Sequence, residues 1–356
     1  MDTLWPPQAA DLLEQAAAHL RARRVRECLE LCAHAEAMGV DPLSTGGERW
    51  MAHMLLGDFE AAWAVSDEVL ARTPQSDLNA MDRPFHRRAV WDGTPFDGQR
   101  ALVRCYHGLG DIVQFARYLP LLAERAERLW VQAPDAVHPL LAGISGVEAV
   151  FPLSDDTTLP AFSVQAELME LPFAFRTTLA TLPAGVPYLL VDPKRVEEQA
   201  ARLTRSSRMS VGLAWAAGGW DGGHRSLPLP LVRRMMDVPG IDWVCLQRGA
   251  PLGEAGSSLA FCDAGQRSLD LRDSAAMIQG LDLVISVDTV VAHLAGALGR
   301  PVWTILNHEA DWRWMLDRED SPWYPTMRLF RQPFPGQWEP AVERIRAALA
   351  STRIGA

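Results

Sequence analysis

The chain is predicted to be α/β, with two successive parallel-sheet units preceded by an all-helical region. Three observations predict this. Residues 1–80 carry only helical spacing of apolar side chains. From about residue 100, short apolar strands alternate with amphipathic helices, the βαβ order of a parallel sheet. The alternation reaches a polar crossover near residue 206 and then starts again at 209.

Residues 1–80 read as four helices. Ala9, Leu12, Leu13, Ala16, Ala17 and Leu20 define the first; Val25, Cys28, Leu29, Cys32 and Ala35 the second. Trp50, Met54 and Leu55 mark a third that ends near Gly57, and Phe59, Ala62, Trp63, Val65, Val69 and Leu70 a fourth. Val25 matches Phe59, Leu29 matches Trp63 and Ala35 matches Val69, an offset of 34 residues, which is the tetratricopeptide period. Two helix pairs are fewer than a free-standing solenoid needs, so this block is expected to dock on the rest of the chain or on another subunit. A plain helical cap and a partner-binding or self-association surface are both open. A linker is expected over residues 73–84.

The first α/β unit reads as a strand over 101–106, a loop over 107–111, an amphipathic helix over 112–126 and a strand over 129–132. A helix from about 134, a strand over 147–151, a strand over 188–191 and a polar helix over 193–206 complete it. The second unit reads as a strand over 209–215, a Gly-rich loop over 216–224, a helix over 228–236 and a strand over 243–246. A helix over 274–280, a buried strand over 283–287, a helix over 288–298 and a strand over 302–306 follow. A Trp-rich loop, a strand over 327–330 and a helix over 339–350 end the pattern. In open α/β sheets ligands sit beyond the carboxyl ends of strands, which selects the loops to examine.

Composition narrows the function classes. Hydrophobic residues make up 48% of the 356-residue chain, enough for sizeable cores, so a mostly disordered protein is excluded. Acidic residues outnumber basic ones 44 to 34, which argues against a sequence-independent nucleic-acid binder. No window approaches the length of a membrane-spanning apolar helix, and the first residues lack a basic n-region and an apolar h-region. Cys28, Cys32, Cys105, Cys245 and Cys262 form no C-x-x-C pair. They read as buried reduced thiols of a cytoplasmic protein, and no metal site is expected.

Four segments carry candidate chemistry. In the 107–111 loop, Gly108 and Gly110 permit positive φ and close approach to a ligand, and Asp111 opens the next helix. Asp111 is either a helix cap or a general base for an acceptor hydroxyl. Val113 stands where a third glycine would complete a dinucleotide fingerprint, so that reading fails. In the second segment, Asp288 and Thr289 lie where a buried strand ends and a helix begins, a geometry suited to a diphosphate, with His293 four residues past Thr289. An N-cap aspartate with a core histidine explains the same residues. Third, Arg225 follows the Gly-rich loop and either meets phosphate charge or is an exposed surface arginine. Fourth, Trp312, Trp314, Trp323 and Tyr324 either fill a core or face a sugar.

Together these motifs resemble glycosyltransferase family 9, the heptosyltransferase-like group, particularly its tetratricopeptide-bearing relatives. Gly108-Leu109-Gly110-Asp111 followed by Gln114-Phe115-Ala116-Arg117-Tyr118-Leu119-Pro120 is similar to the family's N-terminal signature. Val211-Gly212-Leu213-Ala214-Trp215-Ala216 and Arg225-Ser226-Leu227-Pro228 resemble the start of its C-terminal domain. Val287-Asp288-Thr289 through His293-Leu294-Ala295-Gly296-Ala297-Leu298-Gly299, then Pro301-Val302-Trp303, is the most specific match. The resemblance spans about residues 85–345.

It implies a GT-B fold, two Rossmann-like domains facing a cleft, after a tetratricopeptide-like region at 1–80. Residues 85–205 would form the acceptor domain and 207–350 the nucleotide-sugar donor domain. It further implies metal-independent, inverting transfer from a nucleotide-diphosphate sugar, with no resident cofactor, to an acceptor that is a glycan, a lipid-linked saccharide or a protein. Asp111 would be the base. Gly108, Gly110, Arg225, Asp288, Thr289 and His293 would serve the donor, and Gln247, just past a strand, would contact its nucleoside. Two positions depart from the family pattern and bear on donor and acceptor identity: Trp220-Asp221-Gly222-Gly223-His224, and Tyr106-His107 before the Gly-Leu-Gly-Asp. The alternative expectation is a non-catalytic nucleotide-sugar-binding or scaffold protein that uses the helices for partners. A nucleotide-sugar epimerase is a third.

Overall fold

The computed structural model describes residues 7–74, 90–203, 206–218, 223–255, 259–261 and 270–352. The expected linker from residue 75 on, residues 219–222 of the Gly-rich loop, including Trp220, Asp221 and Gly222, and Cys262 lie outside the described residues. In chain order the regular elements begin with α1 (Pro7–Arg21), α2 (Val25–Ala37), α3 (Pro42–Leu56) and α4 (Phe59–Arg72). Next come β1 (Arg100–Arg104), α5 (Leu109–Phe115), α6 (Leu119–Ala123), β2 (Arg128–Ala133), α7 (His138–Leu141), β3 (Ala149–Pro152), β4 (Val164–Glu167), α8 (Leu171–Ala174) and α9 (Pro193–Ala200). The rest are β5 (Met209–Ala214), α10 (Leu229–Met236), β6 (Ile241–Cys245), α11 (Ala250–Ala255), α12 (Leu271–Gln279), β7 (Leu283–Val287), α13 (Val290–Ala297), β8 (Val302–Leu306), β9 (Met327–Arg331) and α14 (Glu339–Thr352).

The chain forms two compact units. The first joins Met1–Thr94 to two later segments, Glu170–Leu182 and Glu309–Arg318. Its helices pack each on the next, and α2 and α4 start 34 residues apart, at Val25 and Phe59. Their ends follow local chemistry. Asp41 caps α3 by accepting from the Leu43 N–H at 3.0 Å, Gly57 ends α3 at φ 76°, and Asp58 caps α4 through the Ala61 N–H at 3.3 Å. Small side chains allow close helix approach in the clusters Ala9–Ala35–Val40 and Ala16–Cys28–Cys32.

The rest of this unit's core comes from the two later segments. Trp312 meets Trp50 edge-on at 5.6 Å and Phe59 at 6.5 Å. Phe173 packs on Trp63 and Trp91, and the Trp63 indole N–H donates to Thr177 O at 2.6 Å. Such aromatic pairs add about 0.5–1.5 kcal/mol each beyond the area they bury. The helical block thus docks on its own chain, and Trp312 and Trp314 are core side chains, not sugar platforms.

The second unit comprises Pro95–Met169, Pro183–His308 and Glu319–Ala356 and holds both sheets. All strand pairs are parallel. One sheet has the order β3-β2-β1-β4 and the other β6-β5-β7-β8-β9. Strand order reverses between β1 and β4 and between β5 and β7, so each sheet has a topological switch point. The loops leaving β1, β4, β5 and β7 are the ones that open there, where α/β sheets bind ligands.

Three expectations need correction. Residues 188–191 form no strand; the Tyr188 N–H donates to Ala297 O and Leu190 is exposed. The fourth strand is β4, earlier in the chain. The single helix expected over 112–126 is broken into α5, a 3₁₀ turn over Ala116–Tyr118, and α6. Pro120 causes the break, since it lacks an N–H and its ring would collide with the Ala116 carbonyl of a continuous helix. The helix expected from 288 starts at Val290, with Thr289 rather than Asp288 as its cap. Among the described residues, no helix is long and apolar enough to cross a membrane, and Cys28, Cys32, Cys105 and Cys245 are buried thiols outside any disulfide.

Candidate active site

The site grows from the end of β7. Its five residues are all buried, and α13 is apolar nearly all round, so the strand-to-helix turn is held rigidly from below. Thr289 adopts φ −145°, ψ 173° and accepts from the Val291 N–H at 3.2 Å. Ser286 Oγ donates to Val287 O at 2.7 Å and lies 3.0 Å from Thr289 Oγ1. With Ser286 giving its one hydrogen to the carbonyl, Thr289 gives its own to Ser286. The Thr289 hydroxyl is therefore spent on the turn. The N–H groups of Thr289 and Val290 make no hydrogen bond among the described residues, and both residues are half-buried. They form the positive end of the α13 dipole.

Asp288 sits just before this tip and is buried. Arg225 Nη1 donates to the Asp288 carbonyl at 3.1 Å and stands 3.9 Å from Asp288 Oδ2. His293 Nε2 stands 3.6 Å from Asp288 Oδ1. The carboxylate is thus flanked by a guanidinium and an imidazole, which offset its repulsion of an anion at the tip.

His293 is only 2% exposed, and its Nδ1 is 2.9 Å from the Tyr324 hydroxyl. Both ring nitrogens face protein groups, so the ring shapes the tip from behind.

The loop after β1 lies against the same turn. Gly110 is so close to α13 that a Cβ there would fall 2.8 Å from His293 Cδ2 and 3.6 Å from Val290 N. Gly108 has φ −64°, and Gly110 is not in the left-handed region either. Gly110 serves close approach to α13, and neither glycine uses the positive φ that it permits. Asp111 is half-buried, and its Oδ2 accepts from the Gly108 N–H at 3.0 Å, capping α5.

Gln247 has a different setting from the one expected. Its Oε1 accepts from the N–H groups of Trp215 and Ala216 at 3.0 and 2.8 Å. Its Nε2 donates to Ala216 O and Arg248 O at 3.2 and 3.1 Å. The amide is saturated by backbone and clamps the start of the Gly-rich loop. The Leu227 N–H donates to Trp215 O at 2.7 Å and closes the loop that carries Arg225.

The structure therefore brings Gly110, Asp111, Arg225, Asp288, Thr289 and His293 together, and leaves Gln247 at the loop base. Sequence reading missed Glu167, at the end of β4. It is buried and accepts from Met169 N at 2.6 Å and Tyr106 N at 3.5 Å, with His107 Nε2 3.8 Å away. Burial and the nearby Glu167 push the Cys105 thiol well up, so it is no nucleophile.

The family model for glycosyltransferase family 9 (heptosyltransferase) matches residues 267–315, the segment that includes Asp288–His293. The chain carries a segment of the family 9 glycosyltransferase type. Its GT-B fold agrees with a family 9 glycosyl transferase structure from Veillonella parvula, at TM-score 0.52 and 8% identity over 67% of this chain and 87% of that one. The Escherichia coli ADP-heptose heptosyltransferase II structure aligns at TM-score 0.49 and 16% identity over 71% of this chain and 99% of that one. Protein FlbA of Caulobacter vibrioides is 28% identical over 291 residues, 73% of this chain. The chain spans 48% of the length of that relative. The family 9 resemblance read from the motifs is borne out by the model match and the shared fold.

Proposed function

We propose that this chain transfers a sugar, with inversion at the anomeric carbon, from a nucleotide-diphosphate sugar to an acceptor hydroxyl on a glycan, a lipid-linked saccharide or a protein in the cytoplasm. Residues 85–205 serve the acceptor and 207–350 the donor. The observation that carries the reading is the seating of the Gly108–Asp111 loop on the first turn of α13. The Asp111 carboxylate is thereby one residue from the contact with the N-terminal tip of α13.

In this reading the diphosphate lies on the N–H groups of Thr289 and Val290, with Arg225 adding positive charge. Asp111 takes the proton of the acceptor hydroxyl. The acceptor oxygen forms a bond to the anomeric carbon from the face opposite the diphosphate, and the carbon–oxygen bond to the diphosphate breaks. Its electron pair stays on the leaving diphosphate, where the preorganised tip stabilises the developing charge. No resident metal or cofactor is invoked. His293 and Gln247 shape the site and do not touch the donor. This revises the roles their motifs imply.

A second, non-catalytic reading draws on one observation: Asp111 already has a structural task, capping α5 through Gly108 N–H. One experiment separates the two. UDP-, GDP- and ADP-sugars are screened by thermal shift, then tested for donor hydrolysis and transfer in wild type, Asp111→Asn and Arg225→Gln. Transfer requires that Asp111→Asn lose turnover while keeping nucleotide affinity within severalfold. Arg225→Gln should weaken the nucleotide by about 10-fold or more, the worth of a charge-assisted hydrogen bond. Unchanged turnover in Asp111→Asn removes the base. Binding with neither hydrolysis nor transfer across acceptors of the three classes favours the non-catalytic reading.

A further inference from the structure

Tyr324 lies against α13 with its ring on Gly296: a Cβ on residue 296 would fall 2.4 Å from the ring's Cδ1. That contact aims the Tyr324 hydroxyl at His293 Nδ1, 2.9 Å away. The other ring nitrogen faces the Asp288 carboxylate at 3.6 Å. A carboxylate only accepts hydrogen bonds, so the favourable hydrogen position is on Nε2. In the neutral ring Nδ1 is then an acceptor, and the Tyr324 O–H donates to it.

The groups behind Tyr324 agree with this assignment. The Tyr188 hydroxyl donates to Val113 O at 2.9 Å and accepts from Arg117 Nη2 at 3.1 Å. In its 3.5 Å contact with Tyr324 Oη the Tyr188 hydroxyl stands on the donor side, so Tyr324 accepts there and its own hydrogen is left for His293. Buried Arg117 donates to Trp323 O at 2.5 Å and stands 4.6 Å over the Tyr324 ring. The same buried network therefore holds the helix that carries Asp111 and the residue that faces His293.

We propose that Tyr324 is a positioning residue for the helix tip: its hydroxyl holds His293 as the Nε2–H tautomer, which turns a donor toward Asp288 and draws that carboxylate away from an incoming diphosphate. The proposal rests on the nucleotide-sugar reading for its consequence, but not for the tautomer itself. Tyr324 acts through His293 and touches no substrate.

The test uses full-length protein with ¹⁵N-labelled histidine. Long-range ¹H–¹⁵N spectra report which ring nitrogen carries the proton, and His293→Gln identifies the resonances. Wild type is expected to show a neutral Nε2–H ring. Tyr324→Phe keeps the ring on Gly296 and should lose that single-tautomer signature, with ADP and UDP binding weakened ~5- to 20-fold, the loss of one buried hydrogen bond. Tyr188→Phe leaves the Tyr324 hydroxyl in place and should keep the Nε2–H signature. An Nδ1–H or charged His293 in wild type overturns the proposal. So does an unchanged tautomer in Tyr324→Phe, or an equal loss in Tyr188→Phe, which would indicate general loosening. If neither ADP nor UDP binds wild type, the donor-site reading fails by itself, and the spectra still decide what Tyr324 does.

Discussion

Gly110 and His293 approach so closely that residue 110 has no room for a side chain: a Cβ there would lie 2.8 Å from Cδ2 of the imidazole. The ring is buried and engaged with Asp288 and Tyr324, so it cannot swing aside without breaking those contacts. Gly110→Ala should therefore cost about 1–3 kcal/mol of stability by overpacking. Equilibrium denaturation measures it, and nucleotide affinity should fall in the same variant. A fully stable Gly110→Ala would mean that the loop is not seated on α13.

Trp312 makes a similar claim for the helical unit. Its indole fills the space between Trp50 and Phe59 and is 6% exposed. Trp312→Ala should lower stability by about 3–5 kcal/mol, the usual cost of deleting a buried indole. Limited proteolysis should then cut within residues 1–94 sooner than in wild type. Equal cleavage rates would count against Trp312 as a core residue.

Asp270 gives a pH dependence with a definite sign. Burial alone would raise its carboxyl, but hydrogen bonds from Arg272 and from the Asp273 N–H at the start of α12 hold it below the ordinary carboxylate range. A group with a depressed folded pKa stabilises above its unfolded pKa, and the contribution disappears as pH falls through the folded value. Asp270→Asn keeps a capping oxygen and removes the titration. Its Tm should lie below that of wild type near neutral pH, and the gap should close as pH is lowered through the carboxylate range. A gap that stays constant with pH would assign the difference to shape rather than charge.

Much of this architecture can be read from residue patterns, and the exceptions have physical causes. The 34-residue match of Val25 with Phe59 carries directly into α2 and α4 because helix packing preserves the spacing of apolar side chains. The apolar runs of β1, β2, β5, β7 and β8 are legible because both faces of a parallel strand are covered. β4 is not: two of its four residues, Gln165 and Glu167, are polar, and they answer to neighbours no local pattern reveals. Residues 188–191 look like a strand by composition, yet Tyr188 is committed by its hydroxyl to α5.

At the site, the Asp288–Thr289 turn is visible in sequence because a buried strand meets a helix there. The partners of His293 are not, since Tyr324 is 31 residues away in the chain and reaches the ring only through its contact with Gly296. Gln247 follows a strand end, as a ligand-contacting residue would, but backbone groups consume its whole amide.

The first unit is assembled from three stretches, the last of which ends at Arg318. During synthesis its aromatic interior stays open until Arg318 has left the ribosome, so these helices mature well after their own residues are made. For the same reason they are not a detachable cassette. A truncation that removes residues 1–94 would leave Phe173 and Trp312 with their apolar faces bare, and any recombination that moves the helices must carry two distant pieces of the chain with them.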